Sequence, residues 1–236
     1  MKTENRLYLS TPVNAIAEGL FEQNVPLVEI RNHGDFGVGT FNDLDGEMVL
    51  LDGIVYQITA DGRVAIIEDD QTLTPFACVT FYRPISHDEL NEELAYGAFL
   101  DWLVRLLPSP NLFYALRIEG EFASIKVRSV PKQENYRTLA EVTREQTLFQ
   151  FDDVSGTVVG FFTPTFMASL SVPGLHLHFI SADSQSGGHL LECRPRRIRV
   201  GVQFIRHVEL VLPLNLDYLT WDFQRDIHQD LIQAEH

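Results

Sequence analysis

Residues 174–179 read Gly-Leu-His-Leu-His-Phe, and residues 187–189 read Gly-Gly-His. Alternation of apolar residues with histidines is typical of a β-strand, in which every second side chain points to the same face. His176 and His178 would then project together, with their Cα atoms about 6–7 Å apart. The turn-forming residues 183–188 predict a hairpin whose return strand brings His189 beside them.

Three histidines on one face of a hairpin predict a metal site. Three neutral imidazoles leave one coordination position open, which is typical of a catalytic rather than a structural zinc ion. A His-x-His pair alone is more often a partly solvated pair, and it is the third histidine that favours a metal. Zn²⁺ suits these ligands, with manganese, iron and cobalt as alternatives.

The rest of the chain indicates an α+β fold: two mixed, mostly antiparallel β-sheets with a few interspersed helices. Short β-like segments such as Glu47–Leu51 and Ile54–Thr59 are separated by tight turns such as Asp52-Gly53. A segment near residues 131–150 divides the sequence into a sheet-bearing half, 1–135, and a metal-binding half with the tail, 136–236. The two halves can equally form one structural unit.

Helices are predicted at a few places. Residues 12–21 suggest a short helix, whereas residues 25–30 suggest a strand. Ser86 and Glu89 have the spacing of a capping box before an apolar stripe that ends at Pro108. A further helix is predicted near Thr138–Gln146, and the tail from Asp217 onward is expected to be helical in part.

The bulk composition is that of a globular protein with a strongly acidic surface. The 236 residues include 33 acidic and 18 basic side chains, a formal net charge of −15. Such a surface repels phosphate backbones, so we expect no nucleic-acid partner. An anionic substrate would have to be attracted locally, by a metal or a placed arginine.

Two cysteines do not make a disulfide framework, and the N-terminal residues lead into no apolar signal-peptide core. No stretch of eighteen apolar residues is present, so we expect no membrane span. The sequence therefore predicts a cytoplasmic protein.

The metal-site segments resemble those of bacterial alpha-acetolactate decarboxylases, and the resemblance covers nearly the whole chain. It includes the N-terminal block Asp35–Asn42 with 44–48, the central block 113–120 with Val127-Arg128-Ser129, and residues 156–161. The histidine motif alone is moderately specific, whereas the set in this order is strongly so.

The resemblance implies a set of site residues. His176, His178 and His189 would be zinc ligands, Glu47 a catalytic glutamate at the metal, and Arg128 a catalytic and substrate-binding arginine. Thr40 would contribute its hydroxyl to substrate binding. A C-terminal tail reaching the active site would supply a further catalytic glutamate, for which Glu235 is the best-placed match.

The activity implied is metal-dependent decarboxylation of 2-acetolactate (2-hydroxy-2-methyl-3-oxobutanoate) to acetoin and CO₂, within acetoin biosynthesis and the butanediol pathway. Loss of CO₂ leaves an electron pair that enters the neighbouring ketone, giving a metal-stabilised enediolate. Glu47 and Glu235 are the two candidates for its protonation. The resemblance also implies a homodimer.

Two other interpretations remain open at this point. The Gly-x-His-x-His…Gly-Gly-His motif also resembles small, non-catalytic metal-binding domains, some of which are associated with DNA. The second of these interpretations is a different metal-dependent lyase or hydrolase, which acts on another small keto acid.

Overall fold

The computed structural model describes residues 5–23, 25–227 and 230–231. Within this part of the chain, strands form one seven-stranded sheet, one five-stranded sheet and a two-stranded pair. The α+β fold with mostly antiparallel sheets and few helices is therefore confirmed. None of the described helices has the length and apolar character needed to cross a bilayer.

The seven-stranded sheet comes mainly from the N-terminal third of the chain. Its strand order is β14-β1-β8-β3-β4-β5-β6, with a parallel pairing between β1 and β14 and antiparallel pairings elsewhere. The strands are β1 (Arg6–Leu9), β3 (Phe36–Thr40), β4 (Glu47–Leu51), β5 (Ile54–Ile58), β6 (Val64–Ile66), β8 (Ala77–Thr80) and β14 (His207–Leu210).

The five-stranded sheet contains the long strands of the molecule in the order β10-β11-β12-β13-β9. Strand β13 pairs with β12 near its start and with β10 along its length, so four of the strands form a closed ring. The strands are β9 (Ser86–Leu90), β10 (Phe113–Ser129), β11 (Thr147–Thr163), β12 (Gly174–Ser181) and β13 (Gly187–Ile205).

Short helices and turns cover the sheets. The small pair consists of β2 (Val25–Pro26) and β7 (Leu73–Thr74). The helices are α1 (Val13–Ala17), α2 (Leu27–His33), α3 (Tyr96–Leu106), α4 (Leu139–Val142) and α5 (Leu216–Thr220), with 3₁₀ turns at Asn42–Leu44, Thr143–Glu145 and Thr165–Met167.

Two local predictions are wrong. Ser86 and Glu89 do not cap a helix, because residues 86–90 pair with β13 as an edge strand and the helix starts only at Tyr96. The predicted strand 25–30 extends only to Pro26, after which a helix begins. A proline at the N-cap and an acidic residue in the first turn suit that helix start. Thr138 and Glu141 form a capping box at the start of α4, within the helix predicted near Thr138–Gln146.

The main core lies between the two sheets. Phe36 on β3 meets Phe161 on β11 edge to face, with ring centroids 6.0 Å apart. A second buried cluster lies between the five-stranded sheet and α3, and a third between the seven-stranded sheet and α2. The sheets thus pack face to face, and any polar group on the facing surfaces needs a partner across the interface.

The proposed boundary at residue 135 lies between β10 and β11, two neighbouring strands of the same sheet. The change from one sheet to the other occurs earlier, between Thr80 and Ser86. The division into 1–135 and 136–236 as domains stays a prediction.

Candidate active site

The three histidines meet on the face of the five-stranded sheet that points to the core. His176 and His178 alternate along β12, and His178 is the direct cross-strand partner of His189 on β13. One ring nitrogen from each histidine lies within 4.8 Å of those from the other two, and all three side chains are buried. The hairpin geometry predicted for them is therefore present.

Burial keeps the imidazoles of His176 and His178 neutral. It lowers the pKa of His176 to about 3, with a smaller contribution from the positive charge of Arg128. It also lowers the pKa of His178 well below its usual value, assisted by His176 and Arg128. Neutral imidazoles have a free lone pair, which is the form that binds a metal ion.

The backbone of the other sheet selects the tautomer of His178. Its Nδ1 lies 2.9 Å from the carbonyl oxygen of Met48 on β4. A carbonyl only accepts, so Nδ1 carries the proton and the lone pair is left on Nε2. Metal-binding histidines typically donate their second ring N–H in this way. No sequence pattern indicates this contact, because it involves a main-chain atom 130 positions away.

The donor atoms fit a metal ion. The Nε2 atoms of His176 and His178 are 3.2 Å apart. Two tetrahedral ligands of zinc, at Zn–N distances of about 2.0–2.1 Å, are separated by about 3.3 Å. Two neutral nitrogens at that distance require a shared proton or a cation between them. The three histidines would therefore hold the ion, and the structure leaves its identity open.

Glu47 and Arg128 form a buried ion pair beside the histidines. Arg128 Nη1 donates to Glu47 Oε1 at 2.7 Å, and Glu47 Oε2 lies 3.6 Å from His178 Nε2. Arg128 on β10 is the cross-strand partner of His189, so the register alone brings it to the same face. Glu47 is the first residue of β4 in the opposite sheet, and its side chain extends from there to Arg128.

Thr40 on β3 is the direct cross-strand partner of Glu47 on β4. Its hydroxyl donates to the carbonyl oxygen of Gly46 at 2.7 Å, within the turn that leads into Glu47. The side chain also lines the pocket beside the histidines. The observed hydrogen bond stabilises the turn, and substrate contact by Thr40 stays a prediction.

The histidines open into a cavity of about 50 Å³, which Thr40, Glu47 and Arg128 also line and whose remaining wall is apolar. Sequence reasoning missed this wall, since its residues come from α1, the loops and α4 and share no motif. Val13 and Ile16 are three positions apart on α1, and this spacing is the one sequence signal that their side chains face the same side of the helix. The wall residues are Val13, Ile16, Leu44, Phe76, Val130, Leu139 and Val172.

Glu235 lies outside the described residues. Two residues of the tail before it, Ile227 and Leu231, are buried in the cluster between the sheets. The tail glutamate stays a prediction.

The fold and the site define an enzyme-type centre: three buried histidines and an ion pair at the mouth of an apolar cavity between two sheets. The sequence profile described as alpha-acetolactate decarboxylase matches residues 7–225. The chain belongs to the alpha-acetolactate decarboxylase family.

Individual relatives agree with the family match. The alpha-acetolactate decarboxylase of Methanosarcina mazei is 37% identical over 230 residues, covering 97% of this chain and 80% of the relative. The Bacillus licheniformis enzyme is 34% identical over 225 residues, covering 95% and 88%. The crystal structure of alpha-acetolactate decarboxylase from Bacillus subtilis strain 168 superposes with a TM-score of 0.94 at 32% identity, covering 98% of this chain and 99% of that one. Such matches do not favour the interpretation as a DNA-associated, non-catalytic relative.

Proposed function

We propose that this protein is a carboxy-lyase that converts 2-acetolactate to acetoin and CO₂. The observation that carries the proposal is the meeting of three buried histidines with the Glu47–Arg128 pair in one apolar-walled cavity. Acetolactate has a carboxylate, a tertiary hydroxyl, a ketone and two methyl groups, and the site offers a counterpart for each kind of group.

Arg128 is the residue for the substrate carboxylate. A guanidinium has five N–H donors in a fixed fork, so it can hold Glu47 and present further donors to a second carboxylate. The overall charge of −15 repels an anion, and a buried cation supplies the local attraction that binding needs.

A metal ion held by His176, His178 and His189 supplies a Lewis acid that stabilises negative charge on the substrate oxygens as CO₂ departs. We propose zinc, because three imidazoles suit it. The apolar wall excludes water, which strengthens the electrostatic contribution of Arg128 and favours release of a neutral product.

Glu47 is placed to move a proton. One carboxylate oxygen is held by Arg128, and the other faces the histidines at 3.6 Å from His178. Protonation of the enediolate carbon from one side fixes the chirality of acetoin, so the donor has to be held rigidly. Glu47 and the tail residue Glu235 are the two carboxyl groups proposed for this step.

The test is incubation of the purified protein with racemic acetolactate, with and without a chelator, while acetoin and CO₂ are measured. We expect acetoin formation that the chelator abolishes and added Zn²⁺ restores. Absence of acetoin from fully metallated protein would refute the proposal. Removal of residues 232–236 should lower turnover without changing metal content if Glu235 takes part.

We also propose a homodimer located in the cytoplasm. The seven-stranded sheet ends in the strands β14 and β6, and edge strands can pair with a second copy. Cys78 and Cys193 are free and buried, as in a reducing compartment. Light scattering after size exclusion and cell fractionation test the two statements.

A further inference from the structure

A single arginine joins the C-terminal segment to the helix that lines the cavity. The Nε atom of Arg225 donates to Oε1 of Glu18 at 2.8 Å, across 207 positions of sequence. Glu18 is the C-cap residue of α1, and Val13 and Ile16 of that helix form part of the apolar wall. The ion pair therefore lies at the end of a wall element.

The same guanidinium also makes an ion pair within the C-terminal segment. Arg225 Nη1 donates to Asp230 Oδ2 at 2.6 Å, so one side chain holds two carboxylates. The Glu18 side chain is only 7% exposed, whereas that of Arg225 is 44% exposed. A carboxylate this deeply buried needs a cation beside it, and Arg225 supplies one from the solvent side.

Apolar packing connects this ion pair with the cavity. Ile227 lies between Arg225 and Asp230 in the sequence, and Leu231 directly follows Asp230. Both apolar side chains are buried. They belong to the same core cluster as Val13, Ile16 and Leu139, three residues of the wall. Ile227, Leu231 and these wall residues are therefore parts of one apolar core.

An aromatic contact holds the chain just before this segment. The rings of Trp221 and Tyr136 are 5.5 Å apart, and Tyr136 shortly precedes α4, which carries Leu139. Gly19, directly after Glu18, has a φ of +86° and lies so close to the Arg137 carbonyl oxygen that a Cβ would be 2.4 Å from it. The end of α1 is thus fixed on two sides.

We propose that Arg225 is a positioning residue for substrate specificity. By clamping Glu18 and Asp230 it holds α1 and its Val13 and Ile16 side chains at a fixed distance from the histidines. The apolar parts of acetolactate are its methyl groups, so the wall limits the size of the alkyl groups that the site accepts. This inference rests on the proposed function, which supplies the substrate.

The test compares two substrates on one enzyme. The second is 2-ethyl-2-hydroxy-3-oxobutanoate, in which an ethyl group replaces the methyl group on the tertiary carbon. The ratio of the two kcat/KM values is insensitive to the fraction of folded protein, because a loss of active enzyme lowers both equally. One methylene in an apolar pocket changes kcat/KM by about 10- to 200-fold.

We expect Arg225→Gln to shift this ratio toward the larger substrate by at least about tenfold, the lower end of that range. Arg225→Lys keeps a cation beside Glu18 and should restore most of the wild-type ratio. Arg197→Gln is the control, because it breaks an arginine–carboxylate pair, with Glu121 at 3.0 Å, that lies on the surface and does not line the cavity. An Arg225→Gln enzyme with the wild-type ratio would overturn the inference.

Hydrogen exchange separates this inference from the proposed function. In chelator-treated protein, Arg225→Gln and Arg225→Lys are compared with wild type over peptides covering residues 13–23. Faster exchange in the glutamine variant alone supports the clamp even if wild type forms no acetoin. Equal protection in all three proteins overturns it.

Discussion

Arg128 and Glu47 are joined by a 2.7 Å hydrogen bond at a place where both side chains are almost entirely shielded from water. Removing one member of such a pair leaves an uncompensated buried charge, which costs about 3–5 kcal/mol. We therefore expect Arg128→Gln to lower the free energy of unfolding by that amount, as measured in urea. Turnover should fall by more than about 100-fold.

Arg197→Gln serves as the control for this experiment, since exposed pairs contribute about 0–1 kcal/mol. Arg128→Lys retains the charge but not the planar fork, so stability should recover more than kcat/KM. An Arg128→Gln protein as stable as wild type would show that the pair does not contribute as its burial suggests.

Removing one histidine should abolish metal binding. We expect His178→Ala to lose both bound metal and activity, since its Nε2 faces the other donors and its Nδ1 is fixed by Met48. Metal content by mass spectrometry and acetoin formation are the measurements. His207→Ala is the control, because His207 is exposed on β14, and it should leave both values unchanged. A fully metallated, active His178→Ala enzyme would contradict the ligand assignment.

The stability of the metal-free protein should fall as the pH drops from about 6.5 toward 3. An unfolded histidine has a pKa of about 6.5, whereas the pKa of folded His176 is about 3 and that of His178 is well below its usual value. Between these values the unfolded chain binds protons that the folded chain does not, so each histidine destabilises by about 1.4 kcal/mol per pH unit.

Urea unfolding of chelator-treated protein between pH 6.5 and 5 measures how steeply the free energy of unfolding falls with pH. We expect a slope of up to about 2.7 kcal/mol per pH unit for two histidines. His178→Asn should remove about half of it, whereas His207→Asn should keep it. A slope that is the same in all three proteins would show that the buried histidines are not its source.

A glycine that contacts no ligand should still be required by the site. Gly160 on β11 faces Leu177 on β12, and a Cβ at Gly160 would lie 2.2 Å from the carbonyl oxygen of His176. We expect Gly160→Ala to push β12 away, with reduced metal content and a loss of about 1–3 kcal/mol of stability. Thermal unfolding with and without metal measures both effects.

Gly97→Ala is the matched control, because nothing lies within 4 Å of a Cβ at this position in α3. Alanine there should stabilise the helix by about 0.5–1 kcal/mol. Equal effects at the two glycines would refute the packing argument.

The histidine cluster could be predicted because its geometry is local. Strand alternation places His176 and His178 on one face, and one hairpin returns His189 opposite His178. Glu47 and Arg128 are 81 positions apart on different sheets, so no spacing rule relates them. They were predicted only through the family resemblance.

The wrong prediction of a helix cap at Ser86 has a tertiary cause. Residues 86–90 have the sequence of a helix cap, but the exposed edge of β13 offers a complete set of backbone partners to this segment. Contacts made by main-chain atoms, such as the Met48 carbonyl, have no sequence signal at all. Sequence thus predicted the histidine cluster of the site, whereas the wall and the tautomer required the structure.

The pairing of β4 with its neighbours has a consequence for how this site can change. Adjacent positions of that strand supply the Glu47 carboxylate and the Met48 carbonyl to the other sheet, and Ser129, next to Arg128, donates to the carbonyl oxygen of Ile58, the partner of Glu47. A slip of one residue would turn Glu47 to the opposite face and remove its contact with Arg128. We therefore expect that insertions or deletions in the turns around β4 are not tolerated, even though they change none of the three histidines. Engineering of this enzyme has to preserve the register of this strand as well as the residues of the site.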